Sequence, residues 1–161
     1  MPLLIRRARP GEAREVYSLV CELAEYERLS HEVEATETMI ADALFGENPR
    51  LFCEIAEWNG EVAGFAVWFF NFSTFSGRPG IYLEDLFVRP ALRGKGIGKA
   101  LLVHLAKACM ANGWSRLQWS VLDWNTPSIE FYKSLGAVMV DEWKLCRLGG
   151  PALKALAESG H

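Results

Sequence analysis

The first half of the chain combines short apolar runs with one stretch of helical periodicity. Apolar residues recur every three or four positions over residues 16–23, which is the spacing of an amphipathic helix. Residues 3–7, 51–57 and 62–70 form short apolar runs that predict strands. The last two runs flank Asn59-Gly60, a dipeptide typical of a tight hairpin turn, so we predict that they pair.

A second helix, a loop and a further strand complete this half. Thr36 has the kind of side chain that caps a helix N-terminus, and Gly46 is typical of a helix end. Residues 71–80 are rich in serine, threonine, glycine and proline, so they predict a loop. Residues 81–88 predict the next strand.

In the second half, strands alternate with helices. The predicted elements are, in order, a glycine-rich turn (94–98), a helix ending at Gly113, a strand (117–122), a helix that begins with the cap Thr126 followed by Pro127 and ends at Gly136, a last strand (138–148), and a helical tail after Pro151. Hairpins come first and strand–helix–strand units later. This order predicts an α/β (α+β) fold in which helices pack on a mixed sheet.

Composition narrows the class of protein. The chain of 161 residues is 50% hydrophobic and 23% charged, as expected for one globular domain over residues 1–161. A formal net charge of −3 argues against a nucleic-acid-binding protein, which usually carries a basic surplus. The longest strongly apolar run, residues 62–70, is too short to cross a bilayer, and no long apolar stretch follows Arg6, Arg7 and Arg9, so we expect no leader peptide. We expect a cytoplasmic protein with no membrane partner.

The cysteines and histidines do not suggest a metal site. A zinc site requires clustered ligands, whereas these residues are scattered and form no CxxC pair. They are Cys21, Cys53, Cys109, Cys146, His31, His104 and His161. We therefore expect reduced thiols and no bound metal.

The glycine-rich turn is the first candidate for a binding site. Missing side chains let backbone N–H groups approach an anion, and the positive end of the following helix adds to the attraction. Arg93, Lys95 and Lys99 bring positive charge to the same place. The pattern predicts a pyrophosphate site, with a flexible turn carrying solvated basic residues as the alternative.

Two common nucleotide motifs do not fit this turn. A mononucleotide P-loop needs a serine or threonine after its lysine, but Ala100 follows Lys99. The dinucleotide pattern needs a third glycine where Lys99 stands. The pattern Arg93-x-x-Gly96-x-Gly98 instead resembles the acetyl-CoA pyrophosphate motif of the GNAT superfamily of N-acetyltransferases.

Further segments strengthen this resemblance and cover most of the chain. They are similar to the diamine acetyltransferases, which include the spermidine/spermine and thialysine-acetylating enzymes. The segments are residues 22–30, 45–49, 81–88, 93–98, 121–125 and 131–137. The resemblance implies a mostly antiparallel central sheet flanked by helices, a homodimer, and direct transfer of an acetyl group from acetyl-CoA to an amine in a ternary complex.

The resemblance also assigns roles to individual residues. A free alkylammonium has a pKa near 10.4 and must lose a proton before it attacks, and the family points to Glu84 as the residue on that path. Tyr132 matches the tyrosine that protonates the leaving thiolate. The residues expected to bind the cofactor are Leu86, Phe87, Val88, Arg93, Gly94, Lys95, Gly96, Ile97, Gly98, Lys99, Asn125, Ser128, Tyr132 and Lys133.

The acceptor side is expected to involve Tyr26, Glu27, Glu84 and Asp85, where carboxylates would favour a cation. Adjacent strand residues such as Glu84 and Asp85 should point in opposite directions. An aspartate and a tryptophan of the polyamine enzyme are replaced here by Ser73 and Phe75. Both replacements favour a smaller, lysine-like amine. We keep two alternatives open: acetylation of a protein lysine or N-terminus, and a non-catalytic CoA-binding regulatory module.

Overall fold

The structure is a computed structural model that describes residues 2–160. Met1 and His161, the ends of the predicted domain, lie outside the described residues. The chain divides into two compact units, Met1–Leu122 and Asp123–His161, and each is described by itself. None of the helices within residues 2–160 combines the length and apolar character required to cross a membrane.

The first unit contains a five-stranded sheet with the strand order β1-β2-β3-β4-β5. Its strands are β1 (Leu3–Arg7), β2 (Phe52–Trp58), β3 (Glu61–Ser73), β4 (Arg78–Val88) and β5 (Leu117–Trp119). Strands β1 to β4 pair with one another in antiparallel order, and β5 runs parallel to β4. The predicted mixed, mostly antiparallel sheet is confirmed.

The β2–β3 hairpin agrees with the sequence prediction, whereas the β3–β4 hairpin differs from it. Asn59 and Gly60 both have positive φ (50° and 83°), as the predicted tight turn between β2 and β3 requires. The predicted loop over residues 71–80 is too long: only residues 74–77 form the turn, because β3 and β4 stay paired as far as Ser73 and Arg78. Gly80 contributed to the loop prediction because glycine is common in turns. In the structure a Cβ at this position would lie 2.8 Å from a backbone oxygen, so this glycine allows close strand packing and does not form a turn.

Among the described residues, the first unit has three α-helices, α1 (Ala13–Tyr26), α2 (Glu37–Phe45) and α3 (Ile97–Asn112). Helices α1 and α3 contact the sheet, and α2 packs mainly against α1. Thr36 caps α2 as predicted, since its hydroxyl oxygen accepts a hydrogen bond from the N–H of Met39 at 3.2 Å. Residues of α1 and α2 form a buried cluster with residues of the sheet, which includes Leu19, Phe65 and Phe87.

In residues 123–160, the described part of the second unit, there are two helices, α4 (Thr126–Ser134) and α5 (Gly150–Glu158). The cap of α4 is Asn125 and not Thr126: the Asn125 side chain accepts a hydrogen bond from the N–H of Ser128 at 3.4 Å. The predicted helical tail is confirmed as α5.

Two predicted strands need correction. Residues 138–148 form no strand, and β5 ends at Trp119 although its strand was predicted to continue to residue 122. A strand forms only where another strand supplies hydrogen-bond partners. Within residues 2–160 no strand pairs with residues 138–148, and their apolar side chains remain exposed, as for Trp143 at 78%.

Candidate active site

The second half of β4 is paired along one edge only. Its pairing with β3 continues to Val88, whereas its parallel pairing with β5 covers only Ile81, Tyr82 and Leu83. No strand among the described residues pairs with residues 84–88 on the β5 side. The backbone groups of this edge can therefore hydrogen-bond to an extended molecule laid beside them, in the way a peptide adds to a sheet.

A β-bulge at Glu84 determines where the two predicted carboxylates point. Val67 pairs with Asp85 and Trp68 with Leu83, so Glu84 is the extra residue between them. Val67 belongs to the buried cluster covered by α1, and Asp85, as its cross-strand pair, lies on the same face. Glu84 is exposed and Asp85 is partly buried, so the two differ in exposure, and their opposite direction stays a prediction because the bulge interrupts the simple alternation.

Asp85 has an unusual electrostatic environment. Burial is the main cause that raises its pKa, and repulsion from Glu84 and Glu27 raises it further, to about 7. The pKa of Glu27 is also raised by burial. Three carboxyl groups therefore share one region at the end of α1, and Asp85 can bind or release a proton near neutral pH.

The acceptor-side residue Tyr26 is the last residue of α1. Its ring centre lies 6.4 Å from that of Phe87 on β4. The guanidinium carbon of Arg93 lies 4.6 Å from the centre of the Tyr26 ring, within cation–π range. This contact joins the end of α1 to the glycine-rich turn.

The glycine-rich turn has the geometry expected of an anion site. Gly94 and Gly96 have φ of 81° and 80°, in the left-handed region that favours glycine. Gly96 directly precedes α3, whose first N–H groups lack partners within the helix. The side chains of Lys95 and Lys99 are exposed next to this helix end. The turn can thus offer both backbone donors and positive charge to a pyrophosphate.

The remaining predicted site residues belong to the second unit. Asn125, Ser128, Tyr132 and Lys133 all lie on α4 or at its cap. Tyr132 is 9% exposed and its ring centre lies 5.5 Å from that of Phe131, while Asn125 is 6% exposed. The first unit thus brings together Tyr26, Glu27, Glu84, Asp85, the open edge at Leu86, Phe87 and Val88, and the turn from Arg93 through Ile97 and Gly98 to Lys99.

The sequence did not reveal a buried polar cluster around Glu54 on β2. The Glu54 carboxylate accepts hydrogen bonds from Arg7 Nε at 3.1 Å and Trp68 Nε1 at 3.0 Å, and His104 Nε2 lies 3.4 Å away. The only sequence signal is one glutamate inside an apolar strand. Residues 2–160 contain no group of histidine, cysteine and acidic side chains arranged to hold a metal ion.

Comparison with known proteins decides the family. The family model described as acetyltransferase (GNAT) family matches residues 13–137. The chain belongs to the GNAT acetyltransferase family. It is therefore an N-acetyltransferase, and the predicted enzyme class, fold and resemblance are confirmed. Enzymes of this family use acetyl-CoA.

Individual relatives support this membership. A thialysine N-epsilon-acetyltransferase of Bos taurus is 39% identical, over 96% of this chain and 97% of the relative. An L-ornithine N5-acetyltransferase of Arabidopsis thaliana is 32% identical, over 94% of this chain and 86% of the relative. Among solved structures, an integron cassette protein of V. cholerae superposes with a TM-score of 0.83 at 31% identity and covers 99% of both chains.

Proposed function

We propose that this GNAT enzyme transfers the acetyl group of acetyl-CoA to a primary amine of a small cationic molecule of the lysine or ornithine type. The observation that carries the proposal is the group of carboxyl side chains formed by Glu27, Glu84 and Asp85 beside the open edge of β4. Mutually repelling carboxylates attract a positively charged ligand. The open edge provides the place for the acetyl donor.

The residues of the first unit fit the acetyl-CoA that the family implies. The open edge at Leu86, Phe87 and Val88 would hold the extended pantetheine arm, because that arm can hydrogen-bond like an added strand. The turn from Arg93 to Lys99 would hold the pyrophosphate with backbone N–H groups and positive side chains. When bound, acetyl-CoA supplies an activated thioester. In the second unit, Asn125, Ser128 and Lys133 are the proposed additional contacts.

Proton transfer follows from the chemistry of the two substrates. The amine must lose a proton before its nitrogen attacks the thioester carbon, and Asp85, with a pKa of about 7, suits this task better than an ordinary carboxylate. We therefore assign the proton-accepting role to Asp85, with the exposed Glu84 next to it. As the new C–N bond forms and the C–S bond breaks, the departing thiolate takes a proton, which we assign to the hydroxyl of Tyr132, while the nitrogen releases its second proton to solvent, from which Tyr132 regains one.

Three observations support a lysine-like or ornithine-like acceptor. Relatives that cover nearly the whole chain act on thialysine and on L-ornithine. Ser73 and Phe75, at the tip of the β3–β4 hairpin, lack the carboxylate that would help to bind a long polycation. The carboxyl groups of the acceptor region are confined to one short region at the end of α1. A compact cation fits these features.

The proposed enzyme is a cytoplasmic homodimer. Apolar residues from 138 to 156 are exposed, among them Trp143 and Leu145, and isolated proteins rarely expose so many large apolar side chains in succession. Among the described residues β5 is the last strand in the sheet order, so a strand from another copy could extend the sheet on that side. Light scattering of the purified protein should therefore give twice the mass of one chain.

The test is thiol release from acetyl-CoA by the purified protein with a panel of amines. The panel contains thialysine, lysine, ornithine, spermidine and a histone-tail peptide. We expect release with the amino-acid amines at least about tenfold faster, by kcat/KM, than with spermidine, because the carboxyl groups lie in one short region and cannot pair with the distant ammonium groups of an extended polyamine. Tyr132→Phe should lower kcat while acetyl-CoA binding, measured by calorimetry, is retained.

The possible results separate the hypotheses. Release with the peptide alone would replace the small-molecule acceptor by a protein. Tight acetyl-CoA binding without release for any amine would indicate a regulatory module. Absence of binding would contradict the placement of the cofactor. Equal kcat in Tyr132→Phe and the unmodified protein would remove Tyr132 from the mechanism.

A further inference from the structure

The guanidinium group of Arg93 is held by three groups of the first unit. Its Nε donates a hydrogen bond to the carbonyl oxygen of Val88 at 2.9 Å. Its central carbon lies 4.6 Å from the ring centre of Tyr26 and 5.5 Å from that of Phe87. Arg93 therefore contacts both the end of β4 and the end of α1.

The end of α1 in turn carries the acceptor side. Glu27 directly follows Tyr26, and its N–H still donates to the carbonyl oxygen of Leu23 at 2.9 Å, so the two residues move with the same helical turn. Glu27 also repels Asp85 electrostatically, which places their carboxyl groups in one region. A shift of Tyr26 would therefore move Glu27 relative to Asp85.

We propose that Arg93 is a positioning residue for the amine site: by stacking on Tyr26, it holds the end of α1 and the Glu27 carboxyl group against β4. This inference rests on the proposed function and deepens it, because the wall of the amine site then depends on a residue of the cofactor turn. An amine and acetyl-CoA would each favour the same arrangement of Arg93 and Tyr26. Such coupling is reciprocal.

The role in the amine site must be separated from direct contact between Arg93 and acetyl-CoA. Steady-state kinetics at saturating acetyl-CoA make this separation, because any loss of cofactor affinity is then compensated. A residue that acts only on the cofactor would show an unchanged KM for the amine under these conditions. A residue that positions α1 would still show a raised KM.

We expect Arg93→Gln to raise the KM for the amine about twofold to fivefold at saturating acetyl-CoA, the range that an exposed cation–π contact supports. Tyr26→Leu should produce a rise of the same size. The double variant should not exceed the larger single effect by more than experimental error, because both changes break one contact. Tyr26→Phe retains an aromatic ring and should produce a smaller rise than Tyr26→Leu.

Lys95→Gln is the matched control. Lys95 lies in the same turn, but its ammonium nitrogen lies 5.4 Å from the centre of the Trp58 ring at the end of β2. This variant should raise the KM for acetyl-CoA and not the KM for the amine. An amine KM in Arg93→Gln equal to that of the unmodified protein, or fully additive effects of Arg93→Gln and Tyr26→Leu, would overturn the inference.

A second measurement does not require activity. In the protein without substrates, hydrogen exchange at the amides of Glu27 and Leu29 should be about twofold to fivefold faster in Arg93→Gln than in Lys95→Gln, because the end of α1 opens more often. Equal exchange in the two variants would overturn the inference. If the unmodified protein acetylates no amine, the proposed function fails, and this exchange measurement still decides whether Arg93 holds α1.

Discussion

Glu54 and Asp85 are carboxylates of the same sheet with opposite surroundings. Glu54 on β2 is only 4% exposed, and its oxygens are satisfied by Arg7 and Trp68 with His104 nearby. It lies between residues that point into the α1 cluster, so its own side chain is on the opposite face, toward α3. Asp85 lies on the α1 face and has the carboxyl groups of neighbouring acidic residues around it.

The difference separates a structural carboxylate from a functional one. A buried charge is tolerated where cations and N–H groups surround it, as at Glu54. Where burial and like charges act together, as at Asp85, the charged form is disfavoured and the group stays ready to bind a proton or a cation. Burial does not explain the difference, because Glu54 is the more buried of the two. The partners do.

Asp85→Asn should have the largest effect. The amide keeps the size of the side chain but cannot accept a proton, so we expect kcat to fall about 100-fold or more, the usual range for loss of a general base. Acetyl-CoA binding should be retained, since Asp85 is not part of the turn. Steady-state kinetics and calorimetry on the same preparation measure the two effects.

Glu84→Gln is the control for this prediction. Glu84 is adjacent in sequence but exposed at the bulge, so its loss of kcat should be at least about tenfold smaller than that of Asp85→Asn. A larger loss in Glu84→Gln would reverse the assignment. Glu84 would then be the proton acceptor that the family resemblance suggests.

Glu54→Gln should affect stability and leave the chemistry intact. Arg7 and Trp68 both donate hydrogen bonds to the Glu54 carboxylate. Because the glutamine side chain is neutral and has only one acceptor oxygen, we expect the free energy of unfolding to fall by about 2 kcal/mol. The exposed Glu61 at the start of β3 is the matched control, and Glu61→Gln should change stability by less than about 0.5 kcal/mol. Urea denaturation of the two variants provides the comparison. Equal effects would mean that the Glu54 cluster is not stabilising.

The same contrast shows what the sequence could and could not predict. Local patterns were sufficient for β1, for α1 and for the turn at Asn59 and Gly60, because period and turn chemistry lie within a few residues. The partners of Glu54 are 14 to 50 residues away in the chain, so no local pattern reveals them.

Local patterns could not predict the bulge at Glu84 or the absence of a strand over residues 138–148, because both depend on residues elsewhere in the chain. The bulge shifts the side-chain alternation of β4, and the environment of Asp85 depends on it together with Glu27 from the end of α1. The apolar residues of 138–148 resemble a strand in sequence, but pairing depends on a partner strand that no periodicity can supply. The order of the sequence motifs along the chain, by contrast, predicted the family without knowledge of the bulge or of the strand pairing.

The smallest expected effect is a change of stability with pH that belongs to Asp85. Its pKa is about 7 in the folded protein against an ordinary value of 3.8, so between these values the folded state binds a proton that the unfolded state has released. Stability therefore falls as pH rises through this window, and between pH 6 and pH 8 the contribution of Asp85 should fall by about 1 kcal/mol. Asp85→Asn carries no such proton, so the difference in unfolding free energy between the variant and the unmodified protein should shift by this amount in favour of the variant. Urea denaturation of both proteins at pH 6 and pH 8 measures it. A difference independent of pH would show that Asp85 is already charged in the folded protein, and the contrast with Glu54 would then have no electrostatic basis.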